Sequence, residues 1–390
     1  MHFKLPKPGT LAWAAIVLLL VAGVAALAIP RLRVFKFERD VARLGGVTQV
    51  ECSAPNWLAR QAADLGCDAL LSVFNTQVTT VILGGTDVDD RWIARLAQFP
   101  EIQRLDLSHT RITDSGLTAL RRLTRLEVVD LSATDLHGPG LAILSQCPNL
   151  LALDLYGCPV SGDALEHLAG ATMLDMLDLT GTQITPGSLR HLAKCTAMTN
   201  LCLENTRVEN DDLAELKGMT KMSILCLMDT PLTDAGIAHL KNLPALSFVD
   251  LRGTKITDSG LTTLVELKHL TILPLARTAI TDSGIEVLKQ ISTLQMLDLS
   301  GTAVTNECLA HLADLPRLVT LGLAGTRIGD RGIDALKSWK RDQVYLFLTD
   351  TPTAATARTE LSAARPQWAI ETTKVPEWTL DADIVRVNHY

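Results

Sequence analysis

The chain has 390 residues, 36 of them basic and 43 acidic, and its hydrophobic content of 47% includes few aromatics, 4% in all. This mild acidic excess argues against a protein that grips nucleic acid through many phosphate contacts, and no nucleic-acid partner is expected. Length alone would allow two or three ordinary domains, but the aliphatic, aromatic-poor composition suits a long stack of Leu and Ile.

Residues 1–10 are a basic tail containing Lys4 and Lys7, and residues 11–29 (LAWAAIVLLLVAGVAALAI) are apolar throughout. A run of that length can cross a hydrocarbon core ~30 Å thick as one helix. Ala26-Leu27-Ala28 offers the small-x-small pattern of a signal-peptidase site. The run exceeds the usual ~7–15 residues of a signal h-region and has basic neighbours, which favours an uncleaved single-pass anchor. Arg31, Arg33, Lys36 and Arg39 come directly after the run, so the positive-inside rule tilts the rest of the chain towards the cytoplasm rather than the periplasm. Residues 30–40 read as a charged juxtamembrane linker. Residues 41–77 do not repeat: 41–50 (VARLGGVTQV) read as a helix end, a Gly-Gly turn and a short strand, and 57–71 as helix. Such a unit would cap the open core end of a repeat array starting at Val78.

From Val78 to Arg341 the same sentence recurs eleven times without a gap. Val78, Ile102, Leu126, Leu150, Leu174, Met198, Met222, Leu246, Leu270, Leu294 and Leu318 open successive 24-residue units of the form L-x-x-L-D-L-x-G-T-x-I-T-D-x-G-L-x-x-L-x-x-L. A fixed period of this length denotes a solenoid in which each unit packs chiefly on its neighbours. The first half alternates, as in Leu105 and Leu107 or Val129 and Leu131, and predicts a short strand. A Thr column comes next (Thr86, Thr110, Thr134, then Thr182 to Thr326 at the same step), interrupted by Cys158. Its hydroxyls are suited to satisfying the backbone of the turn, and Gly85, Gly157, Gly181, Gly253, Gly301 and Gly325 just before it suit a tight turn. In the second half Leu117, Leu120 and Leu123 form one apolar stripe of a short helix. Asp114, Asp234, Asp258, Asp282 and Asp330 stand where a carboxylate can accept the first free N–H groups of that helix. Residues 342–390 hold a degraded twelfth unit around 346–351, prolines 352, 366 and 376, and Trp368 and Trp378 as material for a C-terminal cap.

These columns resemble those of the leucine-rich-repeat superfamily, closest to its ribonuclease-inhibitor-like and cysteine-containing types. The apolar run, Leu44-Gly45-Gly46 and Asn56-Trp57-Leu58 are further similar to membrane-anchored repeat proteins of planctomycete bacteria. The resemblance implies an α/β horseshoe with a parallel sheet on the concave face, short helices on the convex face, and protein binding as the usual role. Thr stands here where many such families place Asn in the turn ladder.

Strands stack at ~4.8 Å and helices at ~8–10 Å, so the sheet is expected on the inner arc, with residues between the inward aliphatics facing the concave side. One such column is largely apolar, with Met176, Ile224, Phe248 and Met296; a second is acidic, with Asp106, Asp130, Asp154, Asp178, Asp250 and Asp298; a third is mixed and includes Tyr156 and Arg252. These twelve residues are the candidate ligand-binding set. A row of apolar side chains marks an interaction surface, and carboxylates one strand apart repel one another, which a basic epitope would relieve. The competing reading is that the Asp residues are solvated and bonded to neighbouring Ser or Thr.

Cys202 and Cys226 share one column without a histidine, and read as filler rather than as metal or redox ligands. The chain carries none of G-x-S-x-G, G-x-x-x-x-G-K-S/T, H-E-x-x-H or G-x-G-x-x-G. No catalytic residues, cofactor or metal are therefore expected. The expected function is a non-enzymatic, membrane-anchored scaffold that binds a protein. The alternative is a substrate-recognition subunit of a larger complex, as F-box-type adaptors are, for which residues 41–77 are a short adaptor module.

Overall fold

The computed structural model describes residues 31–52 and 76–373; the apolar run 11–29, the stretch 57–71 and Trp378 lie outside these. Within them a 14-stranded sheet runs in sequence order from β1 (Val47–Cys52) and β2 (Thr76–Ile82) through β3 (Arg104–Asp106) to β14 (Ala369–Glu371). The first pair is antiparallel, Val47 opposite Ile82, and every later pair is parallel. Register advances one repeat per strand, Thr80 to Arg104 to Val128 to Ala152, so like positions line up in rows across the sheet. Between β12 (Thr320–Gly322) and β13 (Tyr345–Phe347) the step is 25 (320 to 345), and from Tyr345 to Ala369 it returns to 24 (345 to 369). The repeating unit thus runs past residue 341 to β14, with the inserted residue absorbed between strands.

The strands are short because the chain turns immediately after them. In repeat after repeat the residue before the column Thr has left-handed φ: Gly85 (70°), Gly157 (66°), Gly253 (67°), but also His109 (52°), Ala133 (52°), Asn205 (53°) and Arg277 (61°). Only glycine adopts this conformation without Cβ strain. The column Thr secures the turn. Its hydroxyl, half-buried at Thr86 and buried at Thr206 and Thr326, donates to the carbonyl three residues back, from Thr86 on Leu83 (2.7 Å) through Thr206 on Leu203 (2.5 Å) to Thr326 on Leu323 (2.6 Å). At the exception, the Cys158 thiol donates to the Leu131 carbonyl of the preceding repeat at 3.0 Å.

On the other face, α-helix Asp114–Leu117 passes into 3-10 helix Thr118–Arg122, and Gly162–Leu168, Ser188–Leu192 and Asn210–Gly218 are wholly 3-10. The i, i+3, i+6 leucine spacing matches three residues per turn, the 3-10 period. The aspartates expected to cap these helices do something else. Thr113, Thr257 and Thr281 are the N-caps, accepting from the N–H two residues on. The carboxylates reach the next repeat instead: Asp258 accepts the Thr281 N–H (2.8 Å) and hydroxyl (2.5 Å), and Asp90, Asp234 and Asp282 bind Thr113, Thr257 and Thr305 in the same way. The glycine of T-D-x-G is there because a Cβ on Gly284 would lie 2.3 Å from the Asp258 carboxylate. The motif is a staple between repeats.

Residues 31–43, here α1, are helical. The charged segment read as a linker packs on the repeats: Val34, Phe37 and Val41, spaced i, i+3, i+7, are buried, and Phe37 meets Phe99 at 4.3 Å and Trp92 at 5.8 Å between ring centroids. The many charges of the segment masked that stripe. At the far end Trp368 is buried, edge-on to Trp339 at 6.0 Å, and its indole N–H donates to the Arg341 carbonyl (3.1 Å). One continuous hydrophobic core runs from Val34 to Trp368.

Candidate functional site

The sheet face opposite the core is assembled by the pleat: Leu105 and Leu107 are buried inward, so Arg104, Asp106 and Ser108 point the other way. Of the twelve candidates, Met176, Phe248, Asp130, Asp154, Asp178, Asp250 and Asp298 are buried; Asp106, Ile224, Arg252 and Met296 are half-buried; Tyr156 is 39% exposed. The apolar column is therefore not the open row expected of it. Stacked one strand apart, its members shield one another: Val128, Ala152 and Met176 pack as one cluster, and Phe248 with Cys202 and Cys226, flanked by Ile224 and Ile272, as a second.

The acidic column has a structural duty. Asp106 and Asp130 each accept the N–H (2.9 Å) and hydroxyl (2.7 Å) of the serine two residues on. Asp154, Asp178, Asp250 and Asp298 accept the corresponding N–H from Tyr156, Thr180, Arg252 and Ser300 at 2.8–3.0 Å. Each carboxylate thus replaces a missing backbone partner at the exit of its strand. Burial holds Asp130, Asp250 and Asp298 above the usual carboxylate range in spite of these bonds, and at Asp130 the neighbouring Asp106 adds to the effect. Charge repulsion along the ladder is real, but the local donors and burial govern it.

Between Asp178 and Asp250 the column changes chemistry. Cys202 and Cys226 are register partners on adjacent strands and both are buried. Their mutual hydrogen bond and burial hold Cys202 well above the ordinary thiol range; at Cys226 the bond from Cys202 pulls the other way, and burial with Glu204, Asp250 and Asp178 outweighs it. Both are thiols rather than thiolates, which disfavours nucleophilic or metal-ligating use. Among the described residues no group of three or more His, Cys, Asp or Glu is arranged to hold a metal ion.

Arg252 folds back on Asp250, its Nε donating at 2.9 Å and a terminal nitrogen at 2.5 Å to the same oxygen. Glu204, in the same mixed column, is pushed up to about 7, first by burial and then by Asp250, with Arg252 opposing. Two repeats apart in sequence, Arg277 and Asp229 form an ion pair (3.1 Å), and a Cβ on the intervening Gly253 would lie 2.0 Å from the Asp229 carboxylate. Glu204, Asp229 and Arg277 are absent from the candidate set. The sequence places Glu204 in the right column, but nothing in its neighbours' identities announces its burial.

A family model described as "Leucine Rich repeat" matches residues 102–120 and 266–289. In motif and in fold the chain resembles the leucine-rich-repeat superfamily. Its leucine-rich repeats are similar in fold to an internalin of Listeria monocytogenes, at 19% identity over 82% of this chain and 96% of that one, with a TM-score of 0.60. A TDR receptor aligns at 15% identity over 75% of this chain and 50% of that one, with a TM-score of 0.52. No curated protein matches the chain. Among the described residues, no helix of this leucine-rich-repeat protein is long and apolar enough to cross a membrane.

Proposed function

We propose that this is a non-enzymatic protein-binding module, held at a membrane by residues 11–29, that receives its partner on the sheet face. The observation that carries the reading is a sheet unbroken from β1 to β14 on a single core. It presents one broad, stiff surface whose rows differ repeat by repeat, which suits recognition of another macromolecule better than enclosure of a small substrate. Half-buried Ile224, Ile272 and Met296, with Arg252 among their strands and Tyr156 three strands away on the same face, provide the apolar and hydrogen-bonding contacts. Acidic residues at and below this surface favour a partner epitope that is basic as well as apolar.

The burial of Asp130 and Asp154 decides how to test this, because reversing their charge would break turns rather than probe a surface. A better probe is the triple change Tyr156→Ala, Ile224→Glu and Met296→Glu, with proximity crosslinking and capture from the membrane fraction. Partners captured by the parent chain should be lost from the variant while its melting temperature stays within a few degrees. An identical set of captured proteins would remove the sheet face from consideration. Release of the full chain from membranes by alkaline carbonate would remove the anchor.

A further inference from the structure

Helix α1 uses only one side against the repeats. Opposite Val34, Phe37 and Val41, Leu32 is 64% and Phe35 61% exposed, the two most exposed large apolar side chains among the described residues. Around them stand Arg31, Arg33, Lys36, Arg39 and Arg43, against Glu38 and Asp40 on the same helix. Asp40 is already engaged, by Arg95 (3.4 Å) and Arg43 (3.7 Å). Between α1 and the 3-10 helix Ala94–Gln98 lies a groove of about 510 Å³, with Phe37 and Phe99 in its lining and Arg33, Lys36, Arg95 and Gln98 along its sides, next to Asp40. Three cations and one amide thus converge on a groove that holds a single carboxylate.

Exposed Leu and Phe beside a surplus of cations gain little in bulk water. At a membrane surface the same pattern is favourable twice, through apolar side chains entering the acyl boundary and through guanidinium and ammonium groups meeting lipid phosphates. In sequence α1 begins immediately after Pro30, next to the apolar run 11–29. We propose that α1 and its groove bind the headgroup of an anionic phospholipid, the phosphate against Arg33, Lys36 and Arg95, with Leu32 and Phe35 at the acyl boundary. This deepens the anchored reading and rests on it for its location in the cell. The first repeat would then lie against the bilayer, with its orientation set by the helix rather than by a flexible tether.

The test uses the full chain in non-ionic detergent, with native mass spectrometry of bound phosphatidylglycerol against phosphatidylcholine. Retention of phosphatidylglycerol is expected to exceed that of phosphatidylcholine. The double variant Arg33→Gln, Lys36→Gln should weaken it at least about tenfold, given the surface attraction contributed by each basic residue. Both side chains are exposed, so thermal unfolding of the variant should match the parent, which separates loss of binding from loss of fold. Equal retention of the two lipids, or no effect of the double variant, would overturn the assignment, as would displacement of the lipid by millimolar inorganic phosphate. Carbonate extraction of the full chain from vesicles tests the anchor separately. Release with lipid selectivity intact would sink the anchor and leave the α1 site standing; retention without selectivity would sink the site alone.

Discussion

Ala133 occupies the left-handed turn position that Gly fills in about half the repeats, at φ 52°. An L-residue there is strained by ~1–2 kcal/mol, partly offset by the entropy that glycine adds to the unfolded chain. Ala133→Gly is therefore expected to stabilise the protein by about 0.5–1 kcal/mol, read as a higher urea midpoint; a lower midpoint would mean that the turn is not strained. Glu204 is a residue whose effect depends on pH. Its folded state keeps, up to about pH 7, a proton that the unfolded chain releases near 4.5. Its contribution to stability is full below about 4.5 and is lost as pH rises through about 7. The groups facing it are Asp178, Asp229, Asp250 and Arg252. Glu204→Gln should therefore gain on the parent between pH 4 and pH 8, by on the order of 1–3 kcal/mol. Urea midpoints that differ equally at both pH values would show that burial of Glu204 has been misjudged.

At the scale of elements, the T-D-x-G motif joins repeats rather than starting helices. Asp258 accepts two bonds from Thr281, 23 residues on, and the same carboxylate displaces any side chain larger than hydrogen at position 284. Asp258→Ala should cost about 2 kcal/mol, since charge-assisted bonds are worth roughly 1.5–3 kcal/mol each and partly regain solvent when broken. A double-mutant cycle with Thr281→Val should return about 1 kcal/mol of coupling or more. Additive losses would instead put the two residues in separate roles. The motif itself is plain in the sequence. Which helix its carboxylate serves is not, because a capping Asp and a bridging Asp occupy the same position in the string.

For the whole molecule the ends matter most, because each inner repeat is covered on both sides and each terminal one only if something caps it. Trp368 is buried against Trp339, which closes the last of the gapless 24-residue units. Trp368→Ala should destabilise by about 3–5 kcal/mol. Hydrogen exchange should show β13 and β14 opening first, ahead of the central strands. Uniform exchange along the chain would mean that the stack melts as one unit and that this cap has no local role.

The period of 24 was legible in the string and with it the parallel register, the aliphatic core and the Thr ladder, because each derives from a position compared with its own equivalents. A solenoid makes those comparisons local: residue 105 meets 129, and 129 meets 153. Burial on the sheet face was not legible. Val128, Met176 and Phe248 alternate with the core as exposed residues would, and only stacking at one-strand spacing closes them off from water. The same applies to the Asp ladder, whose carboxylates look free for a partner until the N–H two residues on is seen to take them. Helix α1 was hidden for the opposite reason, its three buried positions being outnumbered by charge. Periodicity is a property of one chain compared with itself, so it can be read in one dimension; exposure depends on which neighbours arrive from elsewhere, and that requires the fold.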